Sequence, residues 1–176
     1  MSGIISSESF HLETEIAYPS EWNGTVVIDL DGGTNSSSGE TVLRPALSRN
    51  RNRAVTYSEK KDLPPDSWQR SPVYFYGYND SNFARNVHEI VASVRMAREH
   101  PDWEVNNIHL VGTGSNAALA FAAHFVLGDE IDEVNADPAN FSFSQISDLW
   151  DDAMVPGAVK YGGLEGLRSL TREAGP

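Results

Sequence analysis

The chain has no cysteine among its 176 residues, so disulfides, thiolate nucleophiles and cysteine metal ligands are excluded. Histidine is scarce too. The five present form no HxxxH or HExxH spacing, so zinc has no candidate site and no metal or cofactor is expected. Positive charge is the next shortage: 13 Lys and Arg face 25 Asp and Glu, a formal net charge of −12. Such an acidic chain repels polyanions, which argues against nucleic acid as a partner. No apolar run nears the roughly 20 residues of a membrane-spanning helix, and Met1 to Ser9 lack the basic and apolar regions of a signal peptide. A soluble protein with no membrane partner is expected.

What is present fits an ordinary globular protein. Hydrophobic residues make up 40% and charged residues 22%, enough for one sizeable core and a single domain over residues 1–176. Phe10 to Tyr18 alternates apolar and polar as an edge strand does. Thr25 to Leu30 is short, β-branched and apolar, as a buried strand should be. Gly32 to Gly39 read as a loop. Thr41 to Arg70 shows weak, polar patterning and gathers Arg44, Arg49, Arg51, Arg53, Lys60 and Lys61, which reads as a solvated surface loop. Val73 to Gly77 reads as another buried strand. Asn79 or Ser81 can cap a helix whose stripe runs through Phe83, Val87, Ile90, Val91, Val94 and Met96 and stops near His100, before Pro101.

Ile108-Leu110-Val111 starts a further strand, Ala117 to Leu127 a helix, and Ile131 to Ala136 a strand. Phe141 to Trp150 and Leu164 to Leu170 read as helical, separated by the Pro156-Gly157 break. Alternation of strands with helices predicts an α/β fold: a three-layer αβα sandwich around a mostly parallel, doubly wound sheet.

Residues 106–119, Asn-Asn-Ile-His-Leu-Val-Gly-Thr-Gly-Ser-Asn-Ala-Ala-Leu, are the most informative stretch. An apolar strand runs into a glycine turn and then an alanine-rich helix, the layout of a nucleophile elbow. Set against the standard Gly-x-Ser-x-Gly, Gly112 takes the first position and Gly114 that of the nucleophile. Ser115 falls one residue late, and Asn116 replaces the closing glycine. Ser115 could act as nucleophile only if the turn shifted by one residue. Otherwise its hydroxyl caps the helix, or its N–H serves as an oxyanion donor beside Thr113. The plain structural alternative is that Gly112 and Gly114 merely allow close helix–strand packing.

A second pattern, Val26-Val27-Ile28-Asp29-Leu30-Asp31-Gly32-Gly33-Thr34, resembles the first motif of the haloacid-dehalogenase superfamily. There the first carboxylate attacks phosphorus and the second is general acid/base beside magnesium, which implies a phosphatase built on Asp29 and Asp31. That family's later acidic metal motif has Thr113 and Ala117 where carboxylates belong, and such a site would hold magnesium poorly. In a hydrolase reading, Gly32 and Gly33 instead lend N–H groups to an oxyanion hole. Histidine supply is thin. Only His124 follows the elbow, inside the helix, while His88 and His109 precede it. Asp137 sits at a strand end with no partner in view.

Three segments together carry a family resemblance: Tyr74-Phe75-Tyr76-Gly77-Tyr78-Asn79, then Arg85-Asn86-Val87-His88-Glu89-Ile90, then Ile108-His109-Leu110-Val111-Gly112-Thr113-Gly114. Their order is similar to the central part of an α/β-hydrolase domain of the acetyl xylan esterase and dienelactone hydrolase-like branch. Val155-Pro156-Gly157-Ala158-Val159-Lys160-Tyr161-Gly162-Gly163-Leu164 is similar to a stretch before that branch's seventh strand. The resemblance runs from about Thr25 to Leu170. It implies an esterase-like domain that lacks the C-terminal strands and the histidine loop, with glycine at the nucleophile position. It also implies a crevice formed by Asp31–Asn35, Asn79 and Gly112–Ser115 that takes a small ester or carbohydrate ligand.

The expectation is a pseudoenzyme whose strand after the elbow, left at the sheet edge, pairs with a second copy. Three rivals stand beside it: a serine esterase using Ser115, the magnesium phosphatase, and a structural or interaction domain.

Overall fold

The computed structural model describes residues 2–7, 10–34, 39–49 and 71–173. Asn35 of the expected crevice and Arg51, Arg53, Lys60 and Lys61 of the basic region lie outside them. Six strands form one sheet: β1 (Ser2–Ser7), β2 (Phe10–Ala17), β3 (Thr25–Asp29), β4 (Thr41–Pro45), β5 (Asn107–Thr113) and β6 (Glu133–Asp137). Their spatial order is β1-β2-β4-β3-β5-β6. The β1–β2 and β2–β4 pairs are antiparallel, and β4, β3, β5 and β6 run parallel. The helices are α1 (Pro72–Tyr78), α2 (Asn82–Glu99), α3 (Ser115–Leu127) and α4 (Gly163–Glu173). The α/β class and the mostly parallel sheet agree with the sequence.

The core follows from periodicity. Val26, Ile28, Leu43, Ile108 and Leu110 pack with Phe83, Val87, Ile90 and Val94 of α2 and with the alanines of α3. The alternate strand positions Val27 and Val42 are buried as well, so the central strands are covered on both faces, as parallel strands require. Each fully buried Ile or Leu contributes about 1.5–3 kcal/mol of transfer free energy. Ala117, Ala118, Ala120 and Ala123, all 0% exposed, let α3 approach β5 closely. No helix of the described residues is long and apolar enough to cross a membrane.

Several local expectations are corrected. Val73 to Gly77 is helical, not a buried strand. Pro72 stands at the helix start, where its missing N–H costs nothing, Tyr74 meets Tyr78 one turn on at 5.0 Å, and only Phe75 is buried. Phe10 to Ala17 is a strand but not the edge, because β1 pairs outside it. Thr41 to Pro45 is no surface loop; it is β4, lying between β2 and β3. Phe141 to Trp150 holds a single 3₁₀ turn, Phe143–Gln145, rather than a helix. The expected α2 cap is in place: Ser81 accepts from the Ala84 N–H at 3.1 Å, and the helix ends at Glu99 with His100 as C-cap.

Candidate functional site

The turn between β5 and α3 has an unusual backbone. Gly114 holds φ 58° and ψ −125°, a combination open to glycine and strained for any other residue. Its N–H donates to the Asp137 carbonyl at 2.9 Å, tying the turn to the end of β6. Gly112 is fixed by proximity instead: a Cβ there would sit 2.9 Å from the Asn116 carbonyl oxygen. A Cβ at Gly114 would meet nothing within 4 Å. The bend therefore presents position 114 to open space and presents no side chain on it.

Ser115 is not the helix cap expected from the sequence. Gly114 is the N-cap, without a side-chain cap bond, and Ser115 is the first helical residue. The N–H groups of this first turn have no partner within the helix. Ser115 lines a cavity of about 540 Å³ with Arg49, Phe141, Gln145, Trp150 and the acidic run Asp151-Asp152. Trp150 is held there by edge contacts with Phe75 at 5.5 Å, and Tyr76 donates to the Leu149 carbonyl at 2.6 Å. Helix α1, misread as a strand, thus buttresses the wall of this cavity.

Asn116 bridges two parts of the site. Its Nδ2 donates to the Leu30 carbonyl at 2.9 Å and to the Asp31 carboxylate at 2.8 Å. The first turn of α3 is thereby tied to the loop after β3. In that loop the two aspartates behave differently. Asp31 is exposed, whereas Asp29 is 2% exposed. The Asp29 carboxylate accepts from the N–H groups of Asp31 (3.0 Å), Gly32 (2.9 Å) and Thr34 (2.7 Å). Burial pushes its pKa up, but the hydrogen bonds from Thr34, Asp31 and Gly32 outweigh it and hold the carboxyl below its ordinary value.

Arg44 of β4 completes this knot. Its Nε lies 3.6 Å from Asp29 Oδ2, its Nη1 3.2 Å from Glu15, and its Nη2 donates to the Thr34 carbonyl. Far from being solvated, Arg44 has an 18% exposed side chain and clamps the loop.

The expected site residues are only partly brought together. Thr113, Gly114 and Ser115 share the bend, and Asp31 reaches it through Asn116. The Gly32 N–H is directed at Asp29, and a Cβ at Gly32 or Gly33 would meet nothing within 4 Å. Asn79 is exposed, caps the end of α1 and donates to the Phe75 carbonyl. Asp137 accepts from the Ala139 N–H at 2.8 Å. His124 sits nine residues into α3 from Ser115, about 14 Å along the axis, and His109 pairs with Glu133 at 3.6 Å. Among the described residues no histidine lines the cavity that holds Ser115, and no cluster could hold a metal ion. Asn116 and Arg44 are the structural residues that sequence reasoning missed. The only signal for them was an asparagine in place of a glycine and an arginine within a short apolar run.

No protein-family model and no curated protein sequence matches the chain. Solved structures do resemble it. Dienelactone hydrolase from Anabaena variabilis ATCC 29413 matches with TM-score 0.50 at 13% identity, over 77% of this chain and 61% of that one. Brefeldin A esterase, a bacterial homologue of human hormone-sensitive lipase, matches with TM-score 0.52 at 13% identity, over 100% of this chain and 51% of that one. Est1E from Butyrivibrio proteoclasticus gives a TM-score of 0.47 at 13% identity, over 76% of this chain and 49% of that one. The likeness to the dienelactone hydrolase and brefeldin A esterase structures gives the chain the α/β-hydrolase fold, and it spans between about half and three fifths of their length.

Proposed function

We propose that this chain is an α/β-hydrolase-type domain akin to carbohydrate and acetyl esterases that binds a small ester or carbohydrate ligand without hydrolysing it by itself. One observation carries the reading: the bend that would hold a nucleophile adopts the strained conformation at Gly114 and offers no attacking atom there. The cavity beside it, about 540 Å³ and lined by aromatic, acidic and hydroxyl side chains, falls in the size range of small-molecule sites. The ligand is held by Trp150 and Phe141 on its apolar side and by Arg49, Gln145 and Ser115 on its polar side.

The serine esterase reading draws support from the same cavity, because Ser115 lines it. A histidine base would have to stand within hydrogen-bond reach of that hydroxyl, and among the described residues no histidine lines its cavity. The phosphatase reading is weaker. Both oxygens of Asp29 already accept backbone N–H bonds, whereas an attacking carboxylate needs a free one.

Hydrolysis of p-nitrophenyl acetate by the wild type and by Ser115→Ala, run beside calorimetric titration with an acetylated xylo-oligosaccharide, tests the reading. Saturable binding without turnover above the protein-free rate is the expected result. Turnover lost in Ser115→Ala would replace it with the esterase, and silence in both arms would leave a structural domain. Pairing of two copies through β6 belongs to the same proposal. β6 ends the sheet with β5 as its one neighbour among the described residues. Sedimentation of a β6 variant, Asn135→Pro, tests it, since proline removes a ladder donor; a monomeric wild type would refute it.

A further inference from the structure

A second cleft, of about 230 Å³, lies at the end of the sheet opposite the elbow and is lined by Tyr18, Pro19, Trp22, Thr41, Asp102 and Trp103. Thr41 opens β4, Tyr18 follows the last residue of the antiparallel β2, and Trp103 stands between α2 and β5. All three therefore lie at the N-terminal ends of the parallel strands. Nothing in the proposed ester or carbohydrate site uses them.

We propose that this cleft binds an organic cation of the quaternary ammonium class. Its walls are aromatic and not coplanar. The Tyr18 and Trp103 rings are 6.1 Å apart at 79°, and those of Trp22 and Trp103 are 6.4 Å apart at 41°. Two perpendicular ring faces that each touch a rounded cation at about 4.5 Å have centroids about 6.4 Å apart, within the reach at which a ring attracts positive charge. A flat sugar ring would instead call for one broad face. It would also need several hydrogen-bonding side chains, and beside the two indole N–H donors the polar side chains here are Thr41, 2% exposed, Asp102 and the Tyr18 hydroxyl.

The cleft is also built to hold its shape. His100 stacks on Trp103 at 4.2 Å and 18°, and His100 Nδ1 accepts from the Asp102 N–H at 3.3 Å. The indole is thus backed on one side while Asp102 is fixed at the rim. The Asp102 carboxylate enters no ion pair among the described residues. It lies beside the rings, where negative charge complements a cation. Tyr18 and Trp22 are 48% and 40% exposed, so the walls are open to a ligand from solvent. The net charge of −12 raises the local concentration of cations further.

Calorimetric titration of the 176-residue chain with choline, with its neutral isostere 3,3-dimethylbutan-1-ol and with xylobiose tests the proposal. Choline binds saturably, and the isostere binds about tenfold more weakly or worse, because only the cation gains the ring quadrupole attraction. Trp22→Ala, at an exposed position, weakens choline binding about fivefold or more. Asp102→Asn weakens it as well, with unchanged circular dichroism in both variants. Equal affinity for the neutral isostere, preferential saturation by xylobiose, or no saturation by choline up to about 0.1 M, beyond useful recognition, overturns it.

Discussion

The side chain of Asn116, in the first turn of α3, donates to the carboxylate of Asp31 at 2.8 Å and to the neighbouring Leu30 carbonyl at 2.9 Å. This contact joins the helix head to the loop after β3. Asn116→Ala removes both bonds and should cost about 1–2 kcal/mol, measured by urea unfolding. Asn116→Asp should cost more at neutral pH, because it sets a second carboxylate against Asp31 and a carbonyl.

Asp29 contributes to the acid limb of stability. Its folded pKa lies below the ordinary value, so its contribution is fully present above the unfolded pKa of about 3.9. It is lost as pH falls through the lower folded value. Asp29→Asn should cost about 2–3 kcal/mol at pH 7, since an amide accepts the three backbone N–H bonds poorly. The variant's stability should also change less with pH below about 4. Denaturant midpoints measured at several pH values check both statements.

Gly112 and Gly114 should respond differently to the same change. Gly112→Ala meets backbone atoms at 2.9 and 3.0 Å, so α3 must shift away from β5, at a cost of about 1–3 kcal/mol or more. Gly114→Ala has open space and carries only the strain of φ 58°, about 1–3 kcal/mol. The Gly112 variant should therefore also weaken amide exchange protection across α3, and the Gly114 variant should not.

A buried polar stripe on α2 anchors the segment after β4. Glu89, 7% exposed, accepts from the Ser48 N–H at 3.0 Å and hydroxyl at 2.7 Å. Asn82 donates to the Ser48 carbonyl at 2.7 Å. Glu89→Ala leaves two donors without their acceptor and should cost about 2–3 kcal/mol in thermal or urea unfolding.

Much of the frame was legible in the sequence because periodicity and burial agree there. Val26, Ile28, Ile108 and Leu110 mark buried strands, and Phe83, Val87, Ile90 and Val94 mark the face of α2. The glycine pair 112 and 114 marked the bend. Where tertiary context decided, the sequence misled. Val73-Tyr74-Phe75-Tyr76 has strand-forming side chains, yet Pro72 and the docking of Phe75 on Trp150 make it helical. Thr41-Val42-Leu43 was too short a run to stand out before Arg44, whose charge is satisfied by Asp29 and Glu15 rather than by water. The cavity wall at 141–153 has no period to read, since it is irregular chain held by aromatic contacts.

The most direct test of the account is labelling with a fluorophosphonate, which forms a covalent adduct with an activated serine, followed by mapping of the modified residue by mass spectrometry. With Gly114 at the apex of the bend and no histidine among the described residues lining the cavity that holds Ser115, the chain should carry no adduct after full incubation. A stoichiometric adduct on Ser115, absent after Ser115→Ala, would contradict the account.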